Sequence, residues 1–151
     1  MKLTKSKRRR AREYVLQALY SWQLSGNDIA EIESDLFFKP DQPDLKNIDM
    51  LYFTQLLRGV IAYKNDLDLI IEKHISRKLD EIGPIEKAIL RLSLFELIKF
   101  NEIPYKVIIN EGIELAKEFG AEDSHKFINA VLDNAIVKIR SKKNHYSSNN
   151  I

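Results

Sequence analysis

The residues of this 151-residue chain that are best suited to chemistry are cations gathered at its start. The first twelve residues hold seven cations and no anion: Lys2, Lys5, Lys7, Arg8, Arg9, Arg10 and Arg12. A guanidinium group is planar, pairs with a phosphate through two hydrogen bonds and stacks on bases. Concentrated terminal cations are typical of proteins that bind a polyanion, nucleic acid first and an acidic membrane surface second.

The charge of the chain is separated along its length, although the net charge is only +2. Residues 138–151 add four cations and no anion, whereas residues 13–137 hold 13 cations and all 22 anions, a net charge of −9. A protein made basic for solubility alone would intersperse the two signs. The separation therefore supports the binding of a polyanion at the cationic ends.

The residue types that carry out catalysis are absent or do not occur at spacings that would form an active site. There is no cysteine, which excludes disulfides, thiolate zinc sites and cysteine nucleophiles. The three histidines form no pair at helical spacing, and the five isolated glycines form no phosphate-binding loop. The sequence therefore predicts no metal, no cofactor and no enzymatic activity. The longest uncharged stretch, residues 14–27, is too short and polar to span a membrane, so we expect a cytoplasmic protein.

Apolar residues recur at helical spacing along most of the chain, and glycine and proline mark the breaks. We predict an all-α protein of about seven helices, in which a basic arm, residues 1–12, enters the first helix. That helix is expected to bury a stripe over residues 11–22 and to end at Gly26. Residues 39–44, which contain two prolines, are predicted to form a loop.

The later helices are predicted from the same signals. Asn47 is an expected N-cap, and Gly83-Pro84 begins a helix whose apolar residues occupy nearly the whole circumference. Gly120 is expected to end the next helix in the left-handed conformation. The last helix is predicted to end near Arg140, and residues 141–151 are predicted to be a disordered tail.

The outer face of the first helix is expected to place Leu16 and Tyr20 beside arginines, if the stripe over residues 11–22 marks the inner face. Three interpretations compete. In the first, the face is solvated and Tyr20 packs on an arginine stem. In the second, the segment is a mitochondrial presequence, which is disfavoured because Trp22 and its stripe look integral to the core. In the third, the face contacts RNA. On charge alone, DNA or a membrane surface would fit as well.

Several segments resemble the family of the bacterial transcription antitermination factor NusB. They are residues 8–23, 86–97, 103–111, 114–129 and 131–133, including the run Gly120-Ala121-Glu122-Asp123-Ser124-His125. The resemblance spans about residues 1–140, and its C-terminal signature is specific. It implies a NusB-like all-α fold of two packed helical subdomains and a non-enzymatic role.

The resemblance also implies partners and sites. The implied partners are the boxA element of nascent single-stranded RNA, the ribosomal protein NusE, and an antitermination complex with RNA polymerase that acts notably on ribosomal RNA operons. The implied RNA-binding residues are Lys2, Arg8, Arg9, Arg10, Arg12, Arg77 and Arg91. The implied partner-binding residues are Tyr20, Glu86 and Asp123, to which the predicted outer face of the first helix adds Leu16.

Three positions depart from the family pattern: Ala130 stands for a glycine, Phe95 for a tyrosine and Asn134 for a basic residue. They put local packing in doubt, because the Ala130 methyl is expected at a helix contact. Two other functions stay open. One is an RNA-binding module like that of ribosomal RNA cytosine methyltransferases, without catalysis. The other is a protein-interaction adaptor that forms a homodimer through Leu16 and Tyr20.

Overall fold

Seven α-helices and no strand occur in the part of the chain that the structure, a computed structural model, describes: residues 5–38 and 45–149, with the backbone alone for 141–149. The helices are α1 (Lys7–Ser25), α2 (Ile29–Phe37), α3 (Met50–Ala62), α4 (Lys64–Lys73), α5 (Pro84–Lys99), α6 (Tyr105–Phe119) and α7 (Ser124–Asn149). The chain forms two compact units, Met1–Ala62 and Tyr63–Ile151. The predicted all-α class with about seven helices is confirmed. None of the described helices is long and apolar enough to cross a membrane.

Helix α1 of the first unit begins and ends at residues suited to those positions. The Ser6 hydroxyl accepts a hydrogen bond from the Arg9 backbone N–H at 3.0 Å, which caps the first turn. Gly26 has a φ of 72° and donates its N–H to the Trp22 carbonyl, so the predicted end is confirmed. Because α1 starts at Lys7, five of the seven cations of the basic arm lie in the helix rather than before it.

Helices α2 and α3 complete the first unit. Phe37 of α2 packs edge-on against Phe53 of α3, with ring centroids 4.9 Å apart. The expected cap at Asn47 is wrong, because Asn47 lies in a 3-10 turn and the Asp49 carboxylate caps α3 by accepting the Tyr52 N–H at 3.0 Å. The predicted loop over residues 39–44 lies outside the described residues.

Helix α5 is the most buried helix of the second unit. Every residue from Ala88 to Leu97 is buried, which confirms the predicted burial around the whole circumference. Helices α6 and α7 both pack against α5. The approach of α6 is close at Gly112, where an added Cβ would lie 2.8 Å from Ser93 Oγ.

A side chain of α7 holds the carbonyl end of α5. The Arg140 guanidinium donates to four backbone carbonyls, those of Leu97 at 2.8 Å, Asn101 and Ile103 at 3.2 Å, and Phe100 at 3.3 Å. The last four carbonyls of a helix have no partner within it. Arg140 therefore supplies donors where the helix and its following turn need them.

The junction of α6 and α7 differs from the prediction at Gly120. Its φ of −95° and ψ of −178° are extended rather than left-handed, so the expected left-handed end is wrong. An added Cβ would lie 2.8 Å from the Ala116 carbonyl oxygen and 2.9 Å from Ser124 Cβ. Close packing, and not a positive φ, is thus what requires glycine here.

We expect Gly120→Ala to lower the free energy of unfolding by about 1–3 kcal/mol, because the new methyl overlaps a backbone oxygen that cannot rotate away. Urea unfolding measures the change. Gly26→Asn is the matched control, because Gly26 has open space around it and asparagine tolerates a positive φ. A Gly120→Ala variant as stable as the original chain would contradict the steric explanation.

The three departures from the family pattern are harmless to the packing. Ala130 and Asn134 are exposed, so the expectation that the Ala130 methyl meets another helix is wrong. Phe95 is buried and packs edge-on against Phe100, with centroids 5.7 Å apart. Helix α7 continues past the expected end near Arg140 to Asn149, because its polar sequence there has no proline or glycine. The disorder of residues 141–151 stays a prediction.

Candidate nucleic-acid interface

The first turn of α1 holds several cations and no acidic residue. Arg8 is exposed, Arg9 and Arg10 are half-buried, and the first turn holds no acidic residue. A helix N-terminus carries a partial positive charge, so cations placed there repel it and destabilise the helix slightly. The same positive end, with its unpaired N–H groups, favours a bound anion. The arrangement favours a bound polyanion, although it slightly destabilises the helix when no anion is bound.

The cationic turns are fixed in place within the first unit. The Asp49 backbone N–H donates to the Lys7 carbonyl at 3.2 Å, which joins the start of α3 to the start of α1. Just before the helix, Lys5 Nζ forms an ion pair with Glu13 Oε2 at 2.9 Å. These contacts hold the arginines on a defined surface.

Tyr52 of α3 lies against two of the arginines. The guanidinium carbon of Arg8 is 4.4 Å from the Tyr52 ring centroid, and that of Arg12 is 5.4 Å from it. Both distances are within the range of a cation–π interaction. Arg12 also donates to the Tyr52 hydroxyl at 3.4 Å. No local sequence pattern connects Tyr52 with an arginine 40 positions earlier, so the sequence alone gives no signal for this contact.

Arg12 does not belong to the exposed set. It is 3% exposed and its guanidinium donates to the Tyr52 hydroxyl, so it is not on the exposed surface, and its contact with RNA stays a prediction. Lys2 lies outside the described residues. The structure therefore brings Arg8, Arg9 and Arg10 together as the accessible arginines of the arm.

Two further arginines expected at an RNA surface lie in the second unit and differ from each other. Arg77 is exposed, with its guanidinium 4.9 Å from the Phe127 ring centroid. Arg91 is 4% exposed and donates through Nε and a terminal nitrogen to the two Asp68 oxygens, at 2.8 and 2.9 Å. Because this pair engages the guanidinium and buries it, Arg91 is not exposed in this structure, and its contact with RNA stays a prediction.

The expected partner residues are equally varied. Leu16 is 1% exposed, so its predicted outward position is wrong: α1 is buried around more of its circumference than one stripe. Tyr20 is half-buried and lines a cavity of about 440 Å³ between α1 and α2. In the second unit, Glu86 is half-buried, and Asp123 is exposed with a carboxylate oxygen 3.4 Å from Lys126 Nζ.

Tyr14 is a second tyrosine near the cationic turns. Burial raises the pKa of its hydroxyl, and the negative charge of Glu13 raises that pKa further. The centroid of its ring lies 6.0 Å from the centroid of the Phe37 ring. Tyr14 thus joins α1 to α2 as a neutral side chain at neutral pH.

The described residues hold no group of three or more histidine, aspartate or glutamate side chains that could bind a metal. What they show is a class of protein: an all-helical chain of two compact units, one of which presents a helix N-terminus dense in arginine.

Comparison with known proteins gives this class its family. The model of the NusB family matches residues 9–137. The transcription antitermination protein NusB of Klebsiella pneumoniae (strain 342) is 57% identical over 136 residues, which cover 90% of this chain and 96% of the relative. The NusB protein of Erwinia tasmaniensis matches with the same identity and coverage. The chain belongs to the NusB family, and the resemblance seen in its sequence is confirmed.

Solved structures agree with this assignment. NusB of T. maritima superimposes with a TM-score of 0.74 at 28% identity, covering 88% of this chain and 92% of that one. A chain of the crystal structure of antitermination factors NusB and NusE in complex with dsRNA gives a TM-score of 0.74 at 26% identity, covering 85% and 94%. The NusB-like fold is therefore confirmed.

Proposed function

We propose that this chain is a transcription antitermination factor that binds the boxA element of nascent RNA together with the ribosomal protein NusE. It acts in the cytoplasm, without catalysis, within a complex that contains RNA polymerase. Membership of the NusB family and the 57% identity to named antitermination proteins support the role. The solved complex of NusB, NusE and dsRNA supports the two binding partners.

The observation that carries the proposal is the unbalanced first turn of α1. Arg8, Arg9 and Arg10 follow one another at a capped helix N-terminus that has no acid in its first turn. Acidic residues are favoured in a first turn, because they interact favourably with the helix dipole. A surface that adds three cations to the positive end of a helix is suited to the phosphates of RNA.

Other features of the chain make separate contributions to recognition. Phosphate contacts carry no sequence information, so preference for boxA must come from base edges and stacking. The net charge of −9 over residues 13–137 keeps the body of the protein away from bulk RNA. Tyr20, Glu86 and Asp123 are the proposed contacts to NusE.

Fluorescence anisotropy with a boxA strand and a scrambled strand, each with and without NusE, tests the proposal. We expect the boxA strand to bind more tightly, and NusE to widen the difference. With three accessible arginines, the plot of log affinity against log salt should have a slope of about −2, by the single-strand rule of about −0.7 per phosphate contact. Affinity that ignores salt, or equal binding of both strands in both conditions, would favour a protein-only adaptor instead.

A further inference from the structure

We infer that Arg8 and Tyr52 form a stacking site for one unpaired base of the bound RNA. The inference rests on the proposed function. It gives one arginine a role in stacking that its neighbours do not share.

The first support is the position of the Arg8 guanidinium. It lies over the Tyr52 ring at 4.4 Å, and Arg8 is nonetheless exposed. Across residues 5–38 and 45–140, whose side chains are described, Arg8 forms no ion pair. Arg12, the other arginine at this ring, is buried and donates to the Tyr52 hydroxyl. Of the two, Arg8 is the one that can present a flat face to solvent.

The second support is the rigidity of the platform. Tyr52 is 5% exposed, and its backbone N–H donates to the Asp49 carboxylate at 3.0 Å. The Asp49 N–H in turn donates to the carbonyl of Lys7, the residue before Arg8. Ring and arginine are thus tied together through the backbone. A guanidinium held in this way loses little conformational entropy when a ligand binds.

The chemistry of stacking then selects the ligand. A guanidinium plane stacks on a base, and every base offers such a face, so a base placed on Arg8 would extend a ladder of base, guanidinium and ring. In a duplex each base face is covered by its neighbours, and the site can be filled only by a base that is unstacked. Lysine keeps the charge of arginine but has no flat face.

Arg8→Lys and the matched variant Arg9→Lys, made in the full chain, separate stacking from charge. The probes are a single strand that carries boxA and the same strand annealed to its complement. We expect Arg8→Lys to lower single-strand affinity about fivefold or more and duplex affinity by less than about twofold. The salt slope should not change, because the charge is kept. Arg9→Lys keeps the charge but loses the paired hydrogen bonds to phosphate, so it should lower the single-strand and duplex affinities by the same factor.

Two results would overturn the inference: a ratio of single-strand loss to duplex loss that is the same in the two lysine variants, or an Arg8→Lys loss as large on the duplex as on the single strand. A second pair of variants tests the platform. Tyr52→Phe keeps the ring and should bind nearly as the original chain, whereas Tyr52→Leu should match Arg8→Lys and add nothing to it in the double variant. Additive losses would count against a shared stack.

The proposed function can fail separately. A wild-type chain that binds boxA and a scrambled strand equally would contradict boxA recognition. In that case the comparison of Arg8→Lys with Arg9→Lys on the scrambled single strand and its duplex still decides the stacking site.

Discussion

Replacing Arg8, Arg9 and Arg10 together by glutamine should lower the affinity for a boxA strand by about 100-fold or more at about 0.1 M salt. A hydrogen bond to a charged group is worth about 1.5 kcal/mol or more, and three such contacts would be lost. The slope of log affinity against log salt should fall towards zero. Fluorescence anisotropy over a salt series measures both quantities.

The control is a chain that loses the same charge elsewhere. Lys106, Lys117 and Lys138 are exposed and belong to the second unit, and glutamine at all three positions should change RNA affinity by less than about threefold. Equal losses in the two triple variants would mean that net charge, and not the first turn of α1, attracts RNA. Substitution is a cleaner test than deletion of residues 1–12, which would also remove the Ser6 cap and the buried Ala11.

The second large effect is expected on stability, at the buried ion pair of the second unit. Asp68→Ala should lower the free energy of unfolding by about 3–5 kcal/mol, because it leaves the Arg91 guanidinium buried without its carboxylate. Urea unfolding followed by circular dichroism measures the loss.

The matched variant removes both charges. Asp68→Leu combined with Arg91→Met should unfold within about 2 kcal/mol of the original chain, since apolar residues of similar volume can replace a buried pair. It should also keep the affinity for the boxA strand, because Arg91 is not part of the RNA surface proposed here. Weakened RNA binding in this folded double variant would return Arg91 to that surface.

Local signals predicted the elements of this fold well. The positive φ of Gly26, the start of α5 at Pro84 and the burial from Ala88 to Leu97 all depend on residues close together in sequence. Gly120 shows the limit of such signals. Its type suggests a left-handed end, but the approach of Ser124 and the Ala116 carbonyl, which packing creates, is the actual constraint.

The candidate site was predicted less completely, because several of its side chains are determined by distant residues. Arg91 meets a carboxylate 23 positions away, and Arg12 meets a ring 40 positions away, so periodicity could not show that either guanidinium is buried. A single buried stripe predicts that Leu16 faces outward, but α1 buries more of its circumference than that stripe. The sequence identified the cationic segment, and the structure separated its exposed arginines from the buried one.

The lack of acidic residues at the start of α1 couples the binding of a ligand there to the ordering of the first turn. A nucleic-acid strand lying there would supply the negative charge that the first turn of α1 lacks and that the helix dipole favours. Any ligand that binds only the ordered form stabilises it by mass action. Binding of such a strand should therefore stabilise the first turn of α1, and a chain whose first turn is ordered should bind the strand more tightly.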